Sequence, residues 1–405
     1  MKSGWGKHRL RDATTKIGSG ATPLGGETAY KSEGISLIRS LNVHDAGFRT
    51  KDLAFIDETQ ASQLDNVVVE AGDVLLNITG ASVARCCVVP DEMLPARVNQ
   101  HVSILRPKKN ELLPKLLHYM LISKDYKDRL LNAGEGGGST RQALTKSQLQ
   151  EFWIEIPETL AEQRRIVGIL DEAFEGLATA KANAEQNLHN ARALFKSHLQ
   201  AVFTQRGHGW VEKRIPDVCL TFGRGKSRHR PRNEPSLYGG DYPFIQTGDL
   251  SNADHVVTTY SQTYNDKGLA QSKLWPKGTV GIAIVGATIG ESGVLGFDAC
   301  FPDSVIGMMV NPAIADPFFL EYMLQHFKDR VKSHGEGSAR ENINIGTFDN
   351  LLFPMPAVSE QRRIAERIDG LKEETQRLES LYQRKLAALD ELKKSLLHRA
   401  FSGQL

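Results

Sequence analysis

Five basic residues crowd the ten positions from Gly223 to Arg232, which read Gly-Arg-Gly-Lys-Ser-Arg-His-Arg-Pro-Arg. Gly225 and Pro231 keep Arg224, Lys226, Arg228, Arg230 and Arg232 out of a helix, so an irregular basic loop is expected. Such a loop suits phosphate oxygens, and its arginines can also pair with a guanine edge. A solubilising surface loop is the plain alternative. Arg141 and Gln142, after Gly134-Glu-Gly136, and Arg340 and Asn342, after Gly335-Glu-Gly337, are side chains of the types that bond one base at two points. Alternatively they tie down their own loops. Asn99 and Gln100 share that chemistry, but the pattern Val98 and Val102 to Leu105 would make them a strand edge. Arg39 and Asn42 in the first half, and Gln246 in the second, complete the candidates for DNA contact.

No catalytic constellation accompanies them. A DNA amino-methyltransferase of the common kind needs a Pro-Pro loop, and none of the 16 prolines adjoins another. Gly225-Lys226-Ser227 supplies the tail of a phosphate-binding P-loop, but Leu220 stands where its first glycine belongs. Asp171-Glu-Ala-Phe174 faintly resembles a helicase box and is expected on a solvated helix face. H-E-x-x-H and G-x-S-x-G are absent, and the 12 histidines lack ligand spacing. Pro302-Asp303 has no convincing nuclease element after it. The glycine runs Gly18-Ser-Gly20 and Gly134 to Gly138 read as loop flexibility. Cys86, Cys87, Cys219 and Cys300 form no C-x-x-C pair and read as small buried side chains.

Composition bounds the class. A length of 405 residues argues for two or more domains, and 40% hydrophobic with 24% charged residues is ordinary for a soluble globular protein. The formal net charge of +2 favours no partner by itself, so any nucleic-acid argument rests on local distribution. Met1 to Arg11 is polar and basic, so no secretory signal is expected. The longest apolar run, Val280 to Ala287, is broken by Gly281 and Gly286 and reads as a buried strand. A cytoplasmic location is the expectation.

The elements that must hold the candidates come in two copies. Gly4-Trp5 is echoed by Gly209-Trp210, Gly34 to Asn42 by Asp241 to Asp249, and Gly72 to Gly80 by Gly278 to Gly286. The clearest echo is Glu162-Gln-Arg-Arg-Ile166 against Glu360-Gln-Arg-Arg-Ile364. The offset drifts from 205 (5 to 210) to 198 (163 to 361), so one fold is repeated with small insertions and deletions. In the first copy short strand-like runs occupy Ile35 to Ile38, Asn66 to Val69, Val74 to Ile78 and Val102 to Leu105. An amphipathic helix is expected from Leu112 to Leu131, matched by Pro317 to Val331. After Pro157 and Pro356 come long helical stretches. Ile166, Ile169, Ala173, Leu177, Ala180, Ala184, Leu188 and Ala191 recur at threes and fours, as do Ile364, Ile368, Leu371, Leu378, Tyr382, Leu386 and Leu389. That is a coiled-coil seam. One long helix after each copy lets the two pair with each other, although generic dimerisation helices would look alike. The expected fold is therefore α+β, with an internal pseudo-two-fold repeat. Two globular domains of mixed α/β structure, residues 1–157 and 208–356, are joined by two long helices, residues 158–207 and 357–405, as an antiparallel coiled coil.

This plan resembles the specificity subunits of type I restriction–modification systems, over essentially the whole chain. The similarity lies in Ile156-Pro157 followed by Glu162-Gln-Arg-Arg-Ile-Val167, and Met355-Pro356 followed by Glu360-Gln-Arg-Arg-Ile364. Tyr242 to Leu250, Gly72-Asp-Val-Leu75 and Phe401-Ser-Gly-Gln-Leu405 add to it. The resemblance implies a non-catalytic chain whose two target-recognition domains read an asymmetric, bipartite double-stranded DNA target. It implies two adenine methyltransferase subunits that carry the S-adenosylmethionine, so that no cofactor is expected on this chain. It further implies ATP-dependent restriction subunits in the full complex. An independent DNA-binding regulator and a coiled-coil scaffold carrying two sugar- or protein-binding β domains are the rival readings.

Overall fold

The computed structural model describes residues 4–23, 25–135, 143–229, 231, 234–333 and 343–405. The chain forms two compact units: Met1–Glu185 with Arg384–Leu405, and Gln186–Gln383. Both units are built alike.

In the first unit, Thr14–Ser19 (β1), Val74–Asn77 (β2), Cys86–Val88 (β3) and Val102–Pro107 (β4) form an antiparallel sheet in the order β1-β4-β2-β3. Every residue of β2 is buried, which explains a run of Val-Leu-Leu-Asn rather than an alternating pattern. A second sheet runs Ala54–Ile56, Ile35–Ile38, Ala96–Val98, Val68–Val69, with a parallel pair in the middle. Helix α1 (Pro114–Ile122) packs Leu116, Leu117 and Met120 into the core.

The second unit repeats this. Cys219–Arg224 (β5), Val256–Val257 (β6), Val280–Ala283 (β7), Ser292–Leu295 (β8) and Val305–Val310 (β9) are ordered β5-β9-β7-β8-β6. The companion sheet again has a parallel pair between two antiparallel ones: Gln262–Tyr264, Tyr238–Phe244, Ala299–Cys300, Leu274–Trp275. The strand expected over Val280 to Ala287 ends at Ala283, and Gly286 turns the chain at φ 74°.

The amphipathic helix expected over Leu112 to Leu131 is two helices. At Ser123 the backbone turns extended (ψ 146°) and its hydroxyl donates to the Met120 carbonyl. The matching stretch likewise divides after α3 (Pro317–His326), at Phe327.

Each copy closes on itself before its long helix. Trp5–Arg9 pairs antiparallel with Trp153–Pro157, and Val211–Lys213 with Phe353–Met355. Helices α2 (Leu160–Thr204) and α4 (Val358–Ser402) follow, each of 45 residues, or about 68 Å at ~1.5 Å per residue. In the first unit Lys181 pairs with Asp390 at 2.9 Å and Arg165 donates to the Leu405 carbonyl at 2.8 Å, so the two helices run antiparallel. In the second, Arg192 pairs with Glu379 at 2.9 Å while Leu199 and Phe203 share a core with Ala365 and Ile368, giving the same sense. One seam position is corrected: Leu170 is buried where Ile169 was expected, and Ile169 lies exposed. The spacing 166, 170, 173, 177 keeps the heptad drift that Ile169 would break.

Candidate nucleic-acid interface

In the second unit the basic segment continues strand β5 as an extended chain. Burial alternates residue by residue: Arg224, Lys226 and Arg228 are exposed, while Gly225 and Ser227 are buried. The two-residue period of an extended backbone sets the three cations on one face, about 6.6 Å apart. Gly225 is required there, because a Cβ would stand 2.3 Å from the Phe301 carbonyl oxygen and 2.4 Å from that of Pro302. Its amide donates to the Val305 carbonyl at 2.8 Å. Farther along, the amides of Arg228 and His229 both donate to Gln271 Oε1 (2.6 and 3.0 Å), and the Ser272 hydroxyl donates to the Lys226 carbonyl at 2.8 Å. The backbone is thus pinned while the side chains of Arg224, Lys226 and Arg228 have no ion-pair or hydrogen-bond partner among the described residues. This geometry also explains the broken P-loop resemblance: Gly225-Lys226-Ser227 is extended and opens no helix.

Beside this segment lies a recess lined by Ser227, Tyr238, Phe244, Gln246, Gln262 and Ser304. Gln246 donates to Gln262 Oε1 at 2.6 Å, which places two carboxamides together at its edge. Phe244 stacks on Tyr264 at 4.1 Å between ring centres. Both rings are buried in that stack and shape the recess from within, while the carboxamides at its edge offer two-point hydrogen bonding.

The candidates of the first unit divide. Asn42 is wholly buried: its carboxamide donates to the Arg49 carbonyl (2.9 Å) and Lys51 carbonyl (3.3 Å) and accepts from the Arg39 amide (3.0 Å). Those bonds build a turn and leave nothing for a ligand. Arg39 donates to the Asp52 carbonyl at 2.6 Å, pairs with Glu27 at 3.2 Å and lies over the Tyr30 ring. Asn99 is buried and accepts the His101 amide at 3.0 Å. Gln100 is exposed; it accepts from the Thr22 hydroxyl and meets His101 Nε2 at 3.1 Å. Arg141, Gln142, Arg230, Arg232, Arg340 and Asn342 lie outside the described residues.

A feature that sequence reasoning missed is a second recess in the first unit, lined by Ser40, Thr79, Ser82, Arg85 and His101. Its signal was present in the echo of Gly72–Gly80 against Gly278–Gly286, had that comparison been carried five residues further, to Arg85 and Glu291.

Several other titratable groups serve the fold. Asp171 accepts from Lys115 and from the Tyr119 hydroxyl, and in the other unit Asp369 accepts from Tyr322. Burial pushes the thiols of Cys87 and Cys219 up to about 12 and that of Cys86 well above the usual range, so these are core side chains rather than nucleophiles. Among the described residues no three His, Cys, Asp or Glu side chains are grouped to hold a metal ion, and no helix is long and apolar enough to cross a membrane.

Comparison with known proteins agrees with this architecture. The family model of the type I restriction modification DNA specificity domain matches twice, over residues 2–188 and 207–385. A putative type I restriction enzyme MjaX specificity subunit of Methanocaldococcus jannaschii is 20% identical, covering 99% of this chain and 93% of that one. The EcoBI specificity subunit of Escherichia coli is 27% identical over 77% of this chain and 70% of its own. Two solved structures share the fold. One is a chain from work on complex assembly and conformational transition of a type I R-M system (TM-score 0.75, 21% identity, 100% and 99% of the two chains covered). The other is the HsdS subunit from Thermoanaerobacter tengcongensis (TM-score 0.68, 20% identity, 100% and 98% covered). With both halves matched, the chain belongs to the type I restriction–modification specificity subunits, non-catalytic chains that recognise DNA sequence for such a system.

Proposed function

We propose that the chain reads an asymmetric, bipartite duplex target, one half-site by residues 1–157 and the other by residues 208–356. The observation that carries this is the face formed by Arg224, Lys226 and Arg228: three cations held in line on a pinned backbone, their side chains without a partner among the described residues. Solvated cations without internal partners lose little on meeting phosphates and release condensed counterions in doing so. Gln246 and Gln262, beside that face, have the carboxamide geometry that pairs with adenine. Nothing corresponding to Arg224–Arg228 occurs in the first copy, where Thr22 and Pro23 stand in the same region, so the two copies hold the duplex by different residues.

The segments 158–207 and 357–405 serve as spacer and as the surface gripped by two adenine methyltransferase subunits, which carry the S-adenosylmethionine. Restriction subunits that move on DNA with ATP complete the assembly, and the complex works in the cytoplasm. The experiment is to purify the chain with and without an adenine methyltransferase subunit of the same system, and to sequence the methylation the assembly leaves on plasmid DNA. A two-part motif with an unread gap is expected, together with no methyl transfer by the chain alone. Tight sequence-specific binding by the chain alone, with no methylation by the assembly, would instead favour an independent regulator; indifference to DNA would favour a scaffold.

A further inference from the structure

The turn that follows β2 has the same backbone as the turn that follows β7. Gly80 and Gly286 both stand at φ 74°, each opening a short 3-10 turn. Ala84 N donates to the Asn77 carbonyl at 2.9 Å, and Gly290 N to the Ala283 carbonyl at 2.8 Å. Arg85 N donates to Ser82 O at 3.2 Å, and Glu291 N to Thr288 O at 3.0 Å. Gly290 takes the left-handed conformation at φ 83° without penalty, whereas the first copy holds Ala84, fully buried, at φ 64°. A side-chain-bearing residue there costs about 1–2 kcal/mol. The turn is kept nonetheless, and its next residue differs in charge sign between the copies.

Glu291 is neutralised by Lys328. The Arg85 guanidinium has no ion-pair or hydrogen-bond partner among the described residues. A carboxylate close to the turn, that of Asp45, is committed to Lys127 and to the Cys86 amide (3.1 Å). Around Arg85 the recess presents the hydroxyls of Ser40, Thr79 and Ser82 and the His101 ring, and among the described residues no carboxylate lines it. Thr79 is oriented by His101 Nδ1 at 2.6 Å, and His101 in turn by Gln100. An unpaired guanidinium ringed by hydroxyl donors fits a ligand group that only accepts and carries negative charge.

The geometry points to Arg85 and its recess as a DNA-phosphate site of the first copy, where it does what Arg224, Lys226 and Arg228 do in the second. The inference rests on the DNA-recognition reading. It means that the repeated fold anchors its two half-sites through different elements: a turn in one copy and a strand extension in the other. Phosphate contacts position a protein on the duplex and carry no sequence information. Arg85 therefore sets affinity and register, not the bases read.

The test uses the full chain assembled with its methyltransferase subunits, and a duplex bearing the target read from methylated plasmid. Phosphate-ethylation interference and the salt dependence of binding are measured for the native complex, Arg85→Ala, Arg85→Lys and, as a control in the second copy, Glu291→Gln. For Arg85→Ala the salt slope is expected to become shallower by about 0.9, the value of one phosphate. Interference should be lost at one phosphate of a single half-site, with the methylated sequence unchanged. Arg85→Lys, which keeps the charge, should retain most of the slope, and this separates loss of contact from loss of folding. An Arg85→Ala complex with native slope and native interference overturns the site. So does one whose phosphate pattern is native but whose preference at one base is relaxed, since Arg85 would then read a base edge. A native complex without sequence-specific binding would bring down the recognition reading itself and this site with it.

Discussion

Gln163 and Gln361 make the same three hydrogen bonds at equivalent places in the two copies. Gln163 Nε2 donates to the carbonyls of Glu111 (2.8 Å) and Pro157 (2.9 Å), and its Oε1 accepts the Leu113 amide (2.9 Å). Gln361 Nε2 donates to those of Ile314 (3.1 Å) and Pro356 (2.9 Å), and its Oε1 accepts the Asp316 amide (2.9 Å). Both side chains are wholly buried. Each glutamine fastens the first turn of its long helix to the loop before α1 or α3 and to a proline at the C-terminal end of the preceding strand (Pro157) or just after it (Pro356).

Replacing Gln163 by leucine strands the buried Pro157 carbonyl and the part-buried Glu111 carbonyl and Leu113 amide. At ~1–3 kcal/mol for a buried unsatisfied group, partly offset by relaxation, a loss of about 2–4 kcal/mol is expected. Chemical denaturation reads the loss, and hydrogen exchange should localise it to the amides around residues 111–113. A change below about 0.5 kcal/mol would show the clasp to be dispensable.

His118 on α1 makes the first unit acid-sensitive. Burial pushes its imidazole down to about 4 from the usual 6.5. The folded state thus holds this proton more weakly than the unfolded chain does. Its stabilising contribution is complete above about pH 6.5 and declines as the pH falls toward about 4. The full loss is about 3 kcal/mol at ~1.36 kcal/mol per pH unit. His118→Asn should remove that part of the pH dependence, seen as a flatter melting temperature between pH 6.5 and 4; an unchanged slope would place the acid sensitivity elsewhere.

The cationic face of the second unit sets the electrostatics of its half-site. Changing Arg224, Lys226 and Arg228 together to alanine should make the salt slope of the assembled complex shallower by up to about 2.7, at ~0.9 per phosphate contact. An unchanged slope would place this face away from the duplex.

Four residues inserted between Ala184 and Leu188 lengthen α2 by ~6 Å and exceed one turn by only ~40°, so the seam nearly survives. The duplex rotates ~34–36° per base pair, taking one turn as 10–10.5 pairs. A methylated motif with the same half-sites and a gap wider by one pair is expected on methylome sequencing. Methylation at the original spacing would refute a ruler role for the helix.

The repeat, both long helices and the early strands were legible in the sequence because each rests on periodicity or on echo. The split at Ser123 was not, since one serine bonding back to Met120 leaves the apolar spacing of 112–131 intact. Among the site residues, the glycine and proline near Arg224 excluded a helix but pointed to an irregular loop; the extended, pinned segment and the outward alternation of Arg224, Lys226 and Arg228 depend on Gly225 lying against the Phe301 and Pro302 carbonyls, a contact between distant residues. Asn42 illustrates the converse. A side chain chosen for its base-reading chemistry spends all its hydrogen bonds on a turn closed by Arg49 and Lys51. Arg85 escaped notice because a lone arginine in sequence says nothing about whether a carboxylate waits beside it.

Leu397, Ala400 and Phe401 are buried in the same core as Leu10 and Ile166. During synthesis, at about 5–20 residues per second, the first core therefore waits for residues from the far end of α4 before its apolar surface can be covered. The unit whose strands emerge first is the later of the two to be completed. Until then its exposed seam is a site for chaperones to hold, and a ribosome stalled within α4 releases a chain with an unfinished first core.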